Sequence, residues 1–469
     1  MNTPGSHAAP ADPGPPTRGS RPWAWFLLLT GVFYVAHPHS LVASRILLDH
    51  QAADQAEQQQ ADTNAAAVDD GSMRRRVSLL VLVVVAMGSC LRGGDRRLAI
   101  QGVMGWSMVA FAALVVVSPL WSATPFLSLR RVISFGFLVI GAVAVACRFC
   151  VEDLMLLVVL AASFYLGLGV LAEITAGTFR PGADGYRFAG TLHPNRQGMN
   201  CALLIMASLA LGSRRPSRWK YWILATVAAG FLVLTGSRTS LASGLVGLGV
   251  WWGLTVAPLR LLTNAILGIV CLLPLLLIAA SWQGDRVDDA VRSMLLLGRT
   301  SGDSGDATLT GRVPLWQECA DYAAEHWLLG FGYKSFWSPK RILQVSDNQG
   351  WSIMAAHNGY LETVLNVGVV GLALFGVILA AGILRAWRLA RSTRGPAAAF
   401  AAAVLCWLAA NSLLESWIDE PILPAFVALT LLSMLGLMQH PDWMVAGTQE
   451  FRTEQVADPK LSAEWALGT

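Results

Sequence analysis

Charge is scarce in this chain. Asp, Glu, Lys and Arg supply 14% of its 469 residues, where an ordinary soluble domain carries roughly 25%. That deficit excludes a conventional water-soluble fold, because 54% of the residues are hydrophobic and the mean hydropathy is +0.52. A net charge of +4 is small for this length and no basic patch accompanies it, so nucleic acid is not an expected partner. Cysteine is thin as well. Seven are scattered, and only Cys319 lies in the long polar stretch, which leaves no disulfide framework. The sequence also offers no Asp/Glu/His cluster with metal-ligand spacing, so neither a metal nor any other cofactor is expected. No repeat of roughly 20 to 50 residues and no inverted pair of broken helices of the transporter kind is found.

What is present is apolar and comes in blocks of about 17 to 25 residues, the length a helix needs to cross about 30 Å of hydrocarbon. Backbone polarity leaves helices as the way to cross lipid with such runs. The expected fold is therefore all-α and integral to the membrane, with about 12 transmembrane helices and a large, partly helical periplasmic loop between helices 9 and 10. The windows are 22–41, 77–91, 98–117, 132–149, 153–175, 197–212, 220–236, 240–257, 261–282, 357–384, 396–413 and 421–438. Short basic loops at 92–97, 214–220 and 385–394 are expected on the cytoplasmic side. Arg74, Arg75 and Arg76 disagree with that orientation. The first window could also be read as a signal peptide, although no small-residue cleavage site follows it. Residues 1–20 and 51–71 read as disordered on composition. The organisation is then a cytoplasmic tail (1–20), nine helices (21–282), a periplasmic loop (283–356), three helices (357–439) and a second tail (440–469).

Polar residues worth attention gather at the outer ends of these helices. In the loop, Leu315, Trp316, Cys319, Tyr322, Ala323 and Trp327 recur at three and four, which predicts a helix over 314–328 stopped by Gly330 and Gly332. Arg312 falls at or just ahead of that helix, where free N–H groups favour an anion; the commoner fate of such a residue is a solvated loop arginine. His357 precedes Asn358 at the next helix start, and is either a cap or, with its ordinary pKa near neutrality, a general base. Arg238 interrupts the apolar run at 235–240 and must snorkel outward or meet an anion. Arg187, His193, Asn195 and Arg196 crowd a turn that is equally readable as Gly/Pro geometry with interfacial side chains. Cys147 and Cys150 have the spacing of a redox pair, but no second pair is nearby. The stretch from Trp121 to Arg131 reads as an interfacial anchor.

In this order the elements resemble one family, the bacterial O-antigen ligases and polysaccharide polymerases. The resemblance rests on Gly190-Thr191 with Asn195 and Gly198, Ser237-Arg238, Thr310-Gly311-Arg312 with Trp316, Gly330-Phe331-Gly332, and His357 to Leu361 followed by Gly368 and Gly371. It covers about 187–375. Leu120-Trp121-Ser122 and Ser128 to Arg131 are similar to the exopolysaccharide-polymerase branch.

The resemblance implies a multi-pass protein of the inner membrane with its active face in the periplasm. It implies an inverting, metal-independent glycosyltransferase in which Arg238 and Arg312 bind the donor diphosphate and His357 is catalytic. Arg187, His193, Asn195, Arg196, Trp316, Asn358 and Tyr360 are candidate substrate contacts. The implied partners are a polyprenyl-diphosphate-linked glycan donor, a glycan or lipid-linked acceptor, the bilayer, and other polysaccharide assembly proteins. Polymerisation is the first reading; ligation to lipid A core is the alternative within the class. A lipid-linked oligosaccharide transporter or a non-catalytic scaffold are the alternatives outside it. The His193-Pro194-Asn195 turn and the Gly/Ser/Asp-rich stretch at 301–306 depart from the family pattern and leave the choice of substrate open.

Overall fold

The computed structural model describes residues 98–183, 186–213, 218–255, 309–393, 395–417 and 420–438, with a few positions between 62 and 88. The described residues are mostly α-helical. In order, the helices are α1 (Gly102–Val117), α2 (Pro125–Arg148), α3 (Val151–Thr175), α4 (Pro194–Gly212), α5 (Arg218–Leu234), α6 (Arg238–Thr255), α7 (Leu309–Glu325), α8 (Pro339–Gln349), α9 (Gly359–Thr393), α10 (Pro396–Asn411) and α11 (Leu423–Leu437). A 3-10 turn, Ser118–Trp121, extends α1. Proline opens α2, α4, α8 and α10, where its missing N–H costs nothing.

The expectation of about 12 transmembrane helices is overturned. Among the described residues four helices are long and apolar enough to cross a membrane: Gly102–Trp121, Pro125–Arg148, Val151–Thr175 and Gly359–Thr393. The physical reason lies in how the other apolar windows are used. Helix α4 opens with Asn195, Arg196 and Gln197, and α6 with Arg238, Thr239 and Ser240, so each spends a turn on polar residues. Helices α10 and α11 have 16 and 15 residues and are almost wholly buried. At about 1.5 Å per residue they are shorter than a bilayer core of about 30 Å. A helix apolar all round can be hidden by protein as well as by lipid, and a hydropathy window does not distinguish the two. The windows at 22–41 and 261–282, the tails, and the segments read as disordered, Asp62 apart, lie outside the described residues, as do seven of the fifteen positions of 77–91.

Helices α10 and α11 form the centre of the main core. Alanine at half of the positions of α10 brings neighbouring backbones close. On α6, a Cβ at Gly247 would lie 2.6 Å from Met206 Sδ and 2.9 Å from Trp407 Cβ, so glycine is required for that contact.

A second, smaller core lies in the segment between α6 and α9. Leu315, Cys319, Phe336, Trp337, Ile342, Val345, Ile353, Ala356 and Leu365 close around each other. Burial, with Glu362 and Glu318 adding to it, pushes the Cys319 thiol pKa up, so Cys319 is a packing residue. The buried Glu362 carboxylate accepts from Trp337 Nε1 (2.7 Å) and Ala356 N (2.9 Å). This unit docks on the start of α2. Ser128 Oγ donates to Tyr333 O (2.9 Å), Ser122 Oγ to Ser335 Oγ (2.7 Å), and Arg131 to the carbonyls of Lys334 and Trp337. The stretch read as a simple anchor is therefore also a docking edge.

Helix α9 is broken at Val367 and Gly368, where Gly368 has φ +68°. The turn after α7 inserts there, with Val369 N donating to Trp327 O (2.8 Å) and Phe331 N to Leu365 O (2.8 Å). A Cβ on Gly368 would sit 2.1 Å from Leu328 O. Gly368→Ala is expected to combine that clash with the strain, about 1–3 kcal/mol, of a backbone conformation open essentially to glycine alone (φ +68°, ψ −171°). Thermal unfolding in detergent should show a clear loss of stability, and an unchanged melting temperature would contradict this account of the break.

Candidate functional site

The site is assembled where the starts of α4, α6 and α9, the first turn of α7 and the turn after α10 meet. Its hub is Glu415, a residue the sequence reading did not single out. Helix α10 ends at Asn411, and the following turn, in which Glu415 N donates to Asn411 O (2.9 Å), carries the carboxylate inward.

Four contacts converge there. Arg312 Nη2 donates to Glu415 Oε1 (2.8 Å), and Arg312 Nη1 donates to Leu414 O. Asn195 Nδ2 donates to the same Oε1 (2.7 Å). His357 Nδ1 lies 3.2 Å from Glu415 Oε2. Burial pushes the Glu415 carboxyl upward, but the Arg312 guanidinium, the hydrogen bond and charge of His357, and the charge of His193 outweigh it. The net result is a carboxyl held well below the ordinary glutamate range. Glu415 is therefore ionised at neutral pH and is an acceptor only. A neutral His357 must then offer its Nδ1 proton to Glu415, which leaves the Nε2 lone pair as the basic position.

His357 itself is held in an unusual backbone conformation, φ +49°. The peptide before it is fixed from both sides: Ala356 N donates to Glu362, and Trp316 Nε1 donates to Ala356 O (2.9 Å). After it, Asn358 Oδ1 caps α9 by accepting from Tyr360 N (3.0 Å) and Leu361 N (3.1 Å). Gly359 N donates to Ser412 O (2.7 Å), tying α9 to the turn that bears Glu415. Tyr360 OH donates to Ala409 O (2.9 Å). Trp316, Asn358 and Tyr360 thus have these polar groups engaged with backbone around the start of α9 and the end of α10. Trp351, also missed, places its ring 5.8 Å from the imidazole.

The other side of the site comes from the turn ahead of α4. Arg187 Nη2 donates to Asn195 Oδ1 (2.9 Å) and its Nε to Thr235 O (3.0 Å). That turn is pinned by the buried Glu173, which accepts from Tyr186 OH (2.5 Å), Ala189 N (3.0 Å) and Gly190 N (2.7 Å). Gly190 has φ +60°, and a Cβ there would lie 2.5 Å from Gly169 Cα, so the turn needs glycine on both counts. Arg196 pairs with Glu420. Arg238 opens α6 two residues before Ser240, whose hydroxyl donates to Asn195 O (3.1 Å).

His193 caps α4, with Nδ1 accepting from Asn195 N (3.2 Å). Its side chain is exposed, yet protein surrounds it closely enough that burial, together with the charges of Arg196, Arg187 and His357, pushes its pKa down to about 3 against the opposing pull of Glu415. Around His193 and Glu415 together stand Arg187, Arg196 and Arg312 against Glu415 and Glu420, a positive balance suited to an anion. Among the described residues no three His, Cys, Asp or Glu side chains group as a metal site.

The helix expected over 314–328 runs from Leu309 to Glu325 with Pro314 inside it, so Arg312 sits in its first turn. The signal that could have revealed Glu415 is its place in a short polar turn between two apolar runs of an acid-poor chain.

Residues 222–376 match a family model described as O-Antigen ligase. This stretch includes Arg238, Arg312 and His357 but neither Arg187 and Asn195 nor Glu415. The chain is also similar to the exopolysaccharide production protein ExoQ of Rhizobium meliloti (strain 1021), with 28% identity over 293 residues. That alignment covers 58% of this chain and 62% of the relative, so less than two thirds of the relative's length is spanned.

Because the folded Glu415 pKa is depressed, its ionisation stabilises the fold fully above the ordinary value of 4.5 and the stabilisation is lost as pH falls below it toward the folded value. Glu415→Gln should therefore unfold at a lower temperature than the native chain at pH 7, and the gap should narrow as the pH is taken below 4.5. A gap that is constant with pH would show that the carboxylate's charge is not what matters.

Proposed function

We propose that this chain, which belongs to the O-antigen ligase family, transfers glycan from a polyprenyl-diphosphate carrier to an acceptor sugar hydroxyl, with polymerisation of an exopolysaccharide or O-antigen as the reaction. Family membership and its apolar helices make it a membrane protein related to polysaccharide biosynthesis. The observation that carries the finer reading is one carboxylate, Glu415, holding both Arg312 and His357. The relative's designation as an exopolysaccharide production protein supports polymerisation over ligation to lipid A core.

In this reading the acceptor hydroxyl attacks the anomeric carbon of the donor. Its proton passes to His357 Nε2. The bond from the anomeric carbon to the diphosphate oxygen breaks, and its electron pair leaves with polyprenyl diphosphate. A single displacement inverts the anomeric centre. Negative charge grows on the diphosphate as that bond breaks, so arginines fixed beforehand stabilise the transition state more than the ground state. Glu415 contributes by holding the Arg312 fork and the His357 ring before the donor arrives. Arg238, Arg187 and Arg196 add positive charge around the site. The site faces the periplasm of the inner membrane, where a carrier-linked donor presents its diphosphate at the bilayer surface.

The test is reconstitution in nanodiscs with polyprenyl-diphosphate-linked oligosaccharide, with and without lipid A core, and product analysis by mass spectrometry. A ladder of longer chains on the carrier is expected. Transfer that occurs only when lipid A core is present would replace polymerisation by ligation, and no product from suitable donors would remove the reading altogether. His357→Ala should lower turnover by about 10²–10⁴-fold, the usual worth of a general base. Arg312→Lys keeps the charge but loses the two-pronged fork, and should be strongly impaired at normal protein levels. Wild-type turnover in that variant would argue against a diphosphate clamp.

A further inference from the structure

We propose that the turn at 326–330, together with Leu120 and Phe126, is set into the apolar edge of the bilayer and seats the α7–α8 unit on the membrane. The sequence places this turn inside a polar loop, outside any apolar block. Yet Trp327, Leu328 and Leu329 are 58%, 46% and 38% exposed, and Leu120 and Phe126 are each 87% exposed. Large apolar side chains gathered in this way are costly in water.

The backbone of the turn carries the argument further. The Trp327 carbonyl accepts from Val369 N (2.8 Å) and the Leu328 carbonyl from Val370 N (3.4 Å). The Leu329 carbonyl accepts from Trp121 Nε1 (3.2 Å). Three successive carbonyls outside a helix are thus each given a donor by α9 or by the turn after α1. Non-helical backbone in contact with hydrocarbon is tolerated only when its polar groups are met by protein. A solvated turn has no need of such provision, since water supplies the donors. The break in α9 at Gly368 is what frees Val369 and Val370 to donate.

The occupant is lipid. The patch adjoins Val116 and Val117 at the end of α1 and Val369 and Val370 of α9, which are exposed as well. Leu120 and Phe126 stand at the turn between α1 and α2, and α1, α2 and α9 are three of the four helices able to cross a membrane among the described residues. The lipid that covers those helices extends onto the turn, with Trp327 in the interfacial position that tryptophan favours. On α8, by contrast, the exposed side chains Gln344, Asp347 and Asn348 are polar. The inference does not depend on glycan transfer and stands or falls separately from it.

The test uses the unmodified full chain in phosphatidylethanolamine/phosphatidylglycerol liposomes, labelled in parallel by an apolar carbene reagent that partitions into the bilayer and by hydroxyl radicals generated in water. Peptide mass spectrometry reads the positions. Trp327, Leu328 and Leu329 should take up carbene several-fold more than Gln344 to Asn348, and the order should reverse with hydroxyl radicals. Carbene labelling of the turn no greater than that of α8 would overturn the proposal. Protection of the turn from both reagents would assign the patch to a protein contact and overturn it equally.

Discussion

One carboxylate holds the site together. Glu415 is almost fully buried and accepts from Arg312, Asn195 and the imidazole of His357, which belong to three different parts of the chain. A buried ionised group is tolerated only when it is paired and hydrogen-bonded, and the same contacts that make it tolerable fix the groups it touches. Each partner is in turn held from behind. Asn195 is steadied by Arg187 and Ser240, and His357 follows a peptide clamped by Glu362 and Trp316. These contacts fix the relative positions of Arg312, Asn195 and His357 within the folded chain itself.

The rest of the fold makes that convergence possible. Short, buried helices α10 and α11 lie at the centre, and the turn between them delivers Glu415 and Glu420 to the α4 side. Glycine is used where backbones must approach: Gly190 against Gly169, and Gly198, whose added Cβ would lie 2.9 Å from Ser240 Cβ. The second contact brings the starts of α4 and α6 together, and with them Asn195 and Arg238. The break in α9 does the corresponding work for the α7–α8 unit, since the turn that follows α7 is received there. Arg312, near the other end of α7, is thereby fixed in relation to α9 and His357.

Two kinds of information were needed to read this chain. Local patterns were legible: apolar blocks gave the membrane class and the positions of most helices, because hydropathy and the 3.6-residue period act over a few turns. The order of Asn195, Arg238, Arg312 and His357 along the chain carried the family resemblance for the same reason, as short motifs whose spacing is visible. The number of spans was not legible. A window of apolar residues at 396–413 or 421–438 has the same composition whether lipid or protein covers it, and here protein covers it.

What the sequence by itself determined is that this is a helical membrane protein with arginine, histidine and asparagine concentrated at helix ends, and the family that this pattern resembles. What only the tertiary structure decided is which of those side chains meet and through what. Glu415 lies 58 positions from His357, 103 from Arg312 and 220 from Asn195, so no local pattern links them. Trp316 and Tyr360 stand out in the sequence as single residues, and only the fold shows their hydrogen bonds to Ala356 O and Ala409 O. Pairing across such separations is set by the packing of whole helices, a property of the folded chain and not of any segment of it.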